Sequence, residues 1–115
     1  MNIFCEQFRP GVMEHLNLCP QQVHRVNPKC IYVRISGYGR DAPEETIQRG
    51  GRDINYVAQS GLLAKFKRTQ KQGTPALPTN TLTYAAAGAL SAFTKILAVL
   101  HSGAERVVVD CNLSL

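Results

Sequence analysis

No stretch of about 18 uncharged apolar residues occurs in this sequence, the length a membrane-spanning helix requires. Lys95 interrupts the longest candidate, Ala85 to Leu100. Met1 runs straight into a strand-like segment without a basic region or a small-residue cleavage site, so no secretory leader is expected. The four cysteines, Cys5, Cys19, Cys30 and Cys111, form no Cys-x-x-Cys pair. None stands at ligand spacing from His15, His24 or His101, so no metal site is expected. Three of the four fall in apolar, strand-like runs, where cysteine serves as a small buried hydrophobe. Free thiols in a reducing compartment are the expectation. The chain also lacks internal repeats and low-complexity tracts.

What is present is globular. Of 115 residues, 44% are apolar and 18% charged, with 9 glycines and 6 prolines. That length suits a single domain hiding roughly two-thirds of its unfolded surface, a modest core. Lysine and arginine number 13 against 8 acidic residues, a net charge of +5. An excess of that size suits an anionic partner such as a phosphorylated cofactor or a nucleic acid.

Strand and helix signals alternate. Asn2 to Cys5 reads as a strand, broken by Pro10-Gly11, and Val12 to Asn17 as a short amphipathic helix. Pro20 opens a helix through Val26, since proline is tolerated in a first turn. Cys30 to Ser36 is the clearest strand, β-branched and bounded by turn residues. A flexible loop runs from Gly37 through Gly51. A helix from Asp53 carries Ile54, Val57, Ala58 and Gly61 at helical spacing, with Asp53 as its cap. A Lys-, Gly- and Pro-rich loop covers Lys65 to Asn80, the longest helix runs from Leu82 to His101, and Arg106 to Cys111 forms the last strand. The order predicts an α/β layer with parallel strands.

Two features predict that residues 1–115 form part of a larger domain. The long helix is apolar nearly all round, with one stripe of Ala86, Leu90, Phe93, Leu97 and Leu100 and another of Ala89, Ala92, Ile96 and Val99. Such a helix requires neighbours on most sides, from further chain or from a second copy. The final strand also has no crossover after it, although parallel strands are normally buried on both faces.

Three segments carry candidate chemistry. Arg9, in Phe8-Arg9-Pro10-Gly11-Val12-Met13-Glu14-His15-Leu16, stands at a strand end before a helix, where open α/β sheets bind ligands, and arginine suits phosphate. Gly37-Tyr38-Gly39 is a glycine turn after the clearest strand. Gly50-Gly51-Arg52-Asp53-Ile54-Asn55-Tyr56 is a glycine pair leading into a helix N-terminus, where backbone N–H groups can hold an anion or an oxyanion.

In this order the runs FRPGVMEHLNL, NPKCIYVRISGYG, GGRDINYVAQSGLL and RVVVDCNLSL resemble the family III CoA-transferases, and within them the α-methylacyl-CoA racemase branch. The resemblance covers essentially the whole chain, with altered loop lengths at 40–49 and 65–78. It implies a partial Rossmann-like layer from the large domain of an interlocked-dimer family whose members are several times longer. It also implies a coenzyme A thioester as substrate, no required cofactor, and a cytoplasmic, mitochondrial or peroxisomal setting. Arg9 matches the family's CoA-contacting arginine, His15 stands where relatives carry a basic residue, and Gly37 and Gly51 complete the implied binding set.

Racemisation next to a thioester needs one group to remove a proton from one face and another to return it to the opposite face. The enolate between these steps needs donors at the thioester oxygen. The family supplies a His in Gly-His-Asp-Ile-Asn-Tyr and an Asp in Asn-Leu-Leu-Ala-Asp; in the transferase branch that Asp is a nucleophile. Here those catalytic positions hold Arg52, followed by Asp53, and Tyr84. Arginine stays protonated and cannot act as a base. A phenol needs its pKa lowered by roughly three units to ionise near neutrality. The chain is therefore expected to be catalytically impaired. Four readings compete: a racemase-like isomerase, a family III CoA-transferase, a non-catalytic acyl-CoA-binding fragment or partner subunit, and a small basic RNA-binding protein. The last would use the Lys65-Phe66-Lys67-Arg68 cluster, but with one aromatic it offers little base stacking.

Overall fold

The computed structural model describes residues 2–65 and 83–113, with no side-chain description for 83–86. The elements in order are β1 (Ile3–Glu6), α1 (Val12–His15), α2 (Pro20–Val26), β2 (Ile31–Ser36), α3 (Glu44–Ile47), α4 (Asp53–Gln59), α5 (Leu62–Lys65), a π-helical segment (Thr83–Leu90), α6 (Ser91–Ser102) and β3 (Val108–Asn112). The three strands form one sheet in the order β1-β2-β3, parallel throughout. Register pairs Cys5 with Val33 and Val33 with Val109. The expected α/β layer with parallel strands is thus present.

β2 is central and buried on both faces. Ile31, Tyr32 and Val33 are at most 1% exposed. Side chains alternate along a strand, so Ile31 and Val33 face one way and Tyr32 the other. The first face, with Val109 and Cys111, packs against Ala92, Ile96 and Val99 of α6. On the opposite face Tyr32 stacks on Phe4 with ring centroids 5.0 Å apart, and its hydroxyl donates to the Leu18 carbonyl at 2.8 Å. Burial pushes the Tyr32 phenol up to about 12, which keeps it a donor.

Several boundaries differ from the sequence reading. The expected Gly37–Gly51 loop contains the short helix α3. The last strand begins at Val108 rather than Arg106, because Arg106 takes a left-handed φ of 55° and donates its N–H to the Pro28 carbonyl. Extended pairing cannot start until the backbone leaves that conformation. In α4 the buried residues are Tyr56 and Val57, whereas Ile54 and Ala58 are exposed. Gly61, at φ +75°, separates α4 from α5 instead of extending the first helix. Asp53 is the first residue of α4; the cap position belongs to Arg52, whose N–H donates to Asn55 Oδ1 at 2.8 Å.

Within the expected long helix, Leu82 lies outside the described residues, and Thr83–Leu90 is π-helical before Ser91–Ser102 becomes α-helical. Ala92, Ile96 and Val99 pack on the sheet, but Ala89 is exposed, out of phase because the π-helical turn is wider. The other stripe faces outward, with Leu90 60%, Phe93 59%, Leu97 49% and Leu100 42% exposed. Gly103 closes α6 in the left-handed conformation, its N–H donating to Val99 O. All four cysteines are free; Cys30 and Cys111 are buried, while Cys5 is exposed because β1 is an outer strand.

Candidate functional site

The three strands end toward the same cavity, of about 600 Å³. Open α/β sheets bind ligands there because each strand hands over to a loop whose backbone groups are not used in the ladder. The segment after β1 supplies Gln7, Phe8, Arg9 and Pro10, and β2 and its turn supply Ile35, Ser36, Gly37, Tyr38 and Gly39. Ile47, Arg49, Gly50 and Gly51 form a third wall, Tyr56 of α4 contributes from below, and Leu113 follows β3. Leu113 is anchored by its N–H to the Ser36 carbonyl at 2.8 Å. Arg9, Gly37 and Gly51, separated widely in sequence, therefore line one space.

Tyr56 sets the shape of that space. Its ring is buried and meets Tyr38 edge-on, centroids 5.0 Å apart at 74°. A side chain at Gly51 would place its Cβ 2.6 Å from the Tyr56 hydroxyl and 2.8 Å from that of Tyr38. A Cβ at Gly37 would strike the same ring. Both turns need glycine because the tyrosine occupies the volume a side chain would fill. Arg9 lies against Gly50, with Nη2 3.3 Å from where a Cβ there would sit.

The loop carrying Arg9 is held at both ends. The Phe8 N–H donates to Glu6 Oε2 at 2.7 Å, and the Gly11 N–H donates to Glu14 Oε2 at 3.0 Å. Glu6 is 6% exposed, and burial pushes its carboxyl above the ordinary range despite that N–H and the nearby Arg40 and Arg34. Burial also pushes Glu14 upward, but its own N–H, Arg40 and the Gly11 N–H outweigh it and hold this carboxyl low.

The remaining candidate residues fall elsewhere. His15 is exposed on α1 and is not part of the lining. Arg52, beside Gly51, is exposed at the start of α4 and also outside the lining, and Asp53 follows it in the first turn. Tyr84 lies in the π-helical segment, its side chain outside the described residues, as are Phe66, Lys67 and Arg68. Among the described residues, no group of three or more His, Cys, Asp or Glu could hold a metal ion, and no helix is long and apolar enough to cross a membrane. Arg49 lines the cavity without having been singled out on sequence, while Phe8, Tyr38 and Tyr56 stood inside the candidate segments without a role of their own. Tyr56 had a signal, since it stands within the Gly51-to-Tyr56 run, but a tyrosine in a helix carries no mark of which face it occupies.

The chain is similar to known proteins in sequence and in fold. Residues 1–111 match CoA-transferase family III. Human alpha-methylacyl-CoA racemase is 36% identical over 115 residues, covering 97% of this chain and 29% of that protein. Human succinyl-CoA:glutarate CoA-transferase is 31% identical over 115 residues, covering 97% of this chain and 25% of that protein. The crystal structure of Rv3272 from Mycobacterium tuberculosis superposes with a TM-score of 0.79 at 30% identity, over 98% of this chain and 32% of that one. The chain thus spans about a third or less of the length of these relatives. With the match running from the first strand into the last, the protein belongs to CoA-transferase family III.

Proposed function

We propose that this chain binds a coenzyme A thioester in the cavity at the strand ends and carries out little of the racemisation or acyl transfer chemistry itself. The observation carrying the reading is that Arg9, Gly37 and Gly51 line one cavity. Arg9 supplies a fixed positive charge for phosphate, and the two glycine turns let backbone approach the ligand closely. The relatives named for alpha-methylacyl-CoA and succinyl-CoA support a CoA thioester as the ligand class. His15 stands on α1, outside the residues that line this cavity.

Catalytic impairment follows from the chemistry of two side chains. A guanidinium at position 52 cannot accept a proton near neutrality, and Tyr84 would have to ionise far below the ordinary phenol range. In this reading the chain acts as an acyl-CoA-binding piece or partner subunit in lipid metabolism, in one of the compartments its relatives use. The outward stripe of α6 supports association, either with a second copy or with a partner chain.

Calorimetric titration of coenzyme A into the full chain tests the ligand. Binding is expected, and Arg9→Ala should weaken it by about 1.5–3 kcal/mol, the range for a hydrogen bond to a charged group. No binding by the wild-type chain would reject the ligand class, and unchanged affinity in Arg9→Ala would reject the role of Arg9.

A further inference from the structure

We infer that Glu14 and Arg40 form a strut between two walls of the cavity and act as positioning residues for Arg9, an inference that rests on the proposed CoA site. Neither residue lines the cavity. Glu14 instead bridges with both carboxylate oxygens: Oε2 accepts the Gly11 N–H at 3.0 Å, and Oε1 accepts Arg40 Nη2 at 3.2 Å. One carboxylate therefore ties the loop after β1 to the loop after β2.

The two tied segments are those that meet across the cavity. Residues 8–11 carry Arg9 and end at the Gly11 N–H; Arg40 follows directly on Gly37-Tyr38-Gly39. Gly39, at φ +83°, is packed against the Asn112 side chain, which fixes where the chain leaves the turn and hence where Arg40 begins. The Arg40 side chain is only 25% exposed and that of Glu14 46%, so the ion pair is partly shielded from water and from salt. Glu6 holds the other end of the Arg9 loop through the Phe8 N–H. Arg9 is thus flanked on both sides by main-chain N–H groups held by carboxylates; Glu14 hydrogen-bonds Arg40 on the opposite wall, and Glu6 feels the same guanidinium through space.

The pairing also divides the basic residues near the cavity by role. Arg40 is committed to Glu14 at 3.2 Å. Arg49 lines the cavity and, among the described residues, pairs with exposed Glu45 at 3.9 Å, with side chains 68% and 88% exposed. Arg49 is therefore free to turn toward an anion, whereas Arg40 acts through the loops it joins. A strut of this kind fixes the distance between Arg9 and the Gly37 turn before a ligand arrives, which lowers the ordering cost of binding.

The test is a double-mutant cycle in the full chain. Glu14→Gln keeps an acceptor for Gly11 but removes the charge facing Arg40; Arg40→Ala removes the other partner, and Arg40→Lys restores a charge. Coenzyme A affinity should fall about 3- to 10-fold in Glu14→Gln and in Arg40→Ala, no further in the double variant, and should recover partly in Arg40→Lys. Losses that multiply in the double variant, or unchanged affinity in variants with wild-type unfolding midpoints, would overturn the strut. Amide hydrogen exchange in the ligand-free chain reads the same device independently. Arg40→Ala should speed exchange at Gly11 as well as in its own loop, and acceleration confined to residues 37–40 would overturn the strut. Absence of CoA binding by the wild type would reject the ligand, leaving the exchange pattern to decide the strut.

Discussion

Arg34 and Asp110 are register partners on β2 and β3, joined by two parallel hydrogen bonds: Nε to Oδ1 at 2.6 Å and Nη2 to Oδ2 at 2.7 Å. The Arg34 side chain is mostly covered, and its hydrogen bond to Asp110 raises its pKa further. β3 is an outer strand, so a cross-strand pair of this geometry is one of the contacts that fix its register. The double cycle of Arg34→Ala and Asp110→Ala should return a coupling of about 1 kcal/mol in urea unfolding, reduced at high salt. Additive single losses would mean that the pair orients the strands without stabilising them.

The glycine at position 51 faces a sharper constraint. Gly51→Ala drives a methyl group into Tyr56 and Tyr38, and the buried Tyr56 ring cannot retreat freely. A cost of about 1–3 kcal/mol is expected, typical of overpacking a filled site. Combining it with Tyr56→Leu should recover part of that loss, because the obstructing atoms are gone. Thermal unfolding of the two variants checks this, and equal midpoints for Gly51→Ala and wild type would contradict the packing argument.

Glu6 and Glu14 give opposite pH dependences. Glu6 has its carboxyl pushed above the unfolded value of 4.5, chiefly by burial, so this group favours folding increasingly as the pH falls through its raised pKa toward 4.5. Above that raised pKa the ionised group costs stability. Glu6→Gln keeps an acceptor for the Phe8 N–H and should raise the unfolding midpoint by a few degrees at pH 7. That gain should shrink as the pH approaches 4.5. Glu14, held low, stabilises above 4.5 and loses its contribution as the pH falls through its folded pKa. Glu14→Gln should therefore lower the midpoint at pH 7 and converge with wild type in acid. A pH series of unfolding midpoints in which both variants run parallel to wild type would refute both assignments.

Deuterium wash-in at the α-carbon of a 2-methylacyl-CoA measures enolisation directly. Exchange near background is the outcome the proposed function predicts, since replacing one general acid or base commonly costs about 10²–10⁴-fold and that reading has two replaced, at positions 52 and 84. Arg52→His combined with Tyr84→Asp should raise the rate if the surrounding scaffold is sound. Rapid exchange by the unaltered chain would mean that other groups perform the proton transfers.

The sequence was legible where local chemistry decides the outcome. The β-branched run at 31–36 and the proline at 20 announce their elements, and parallel pairing follows from alternation. It was opaque where distant segments meet. The left-handed backbone of Arg106 depends on its bond to Pro28, and nothing near position 106 signals it. Glu14 reads as an ordinary first-turn acid until Arg40 arrives from 26 residues away. Tyr56 belongs to the site only because two glycine turns close over it, a three-body arrangement that spacing along one helix cannot reveal.

The cavity draws its walls from residues 7–10, 35–39, 47–51 and 113, near the beginning, middle and end of the chain. A molecule seated there would touch pieces that only the complete fold brings together, so fraying of a single helix would not release it. Occupancy would therefore act on global unfolding, raising the free energy by RT ln(1 + [L]/Kd), about 2.7 kcal/mol at a hundredfold excess over Kd. For a chain with half of its longest helix turned toward solvent, a ligand of that kind would also serve as a staple.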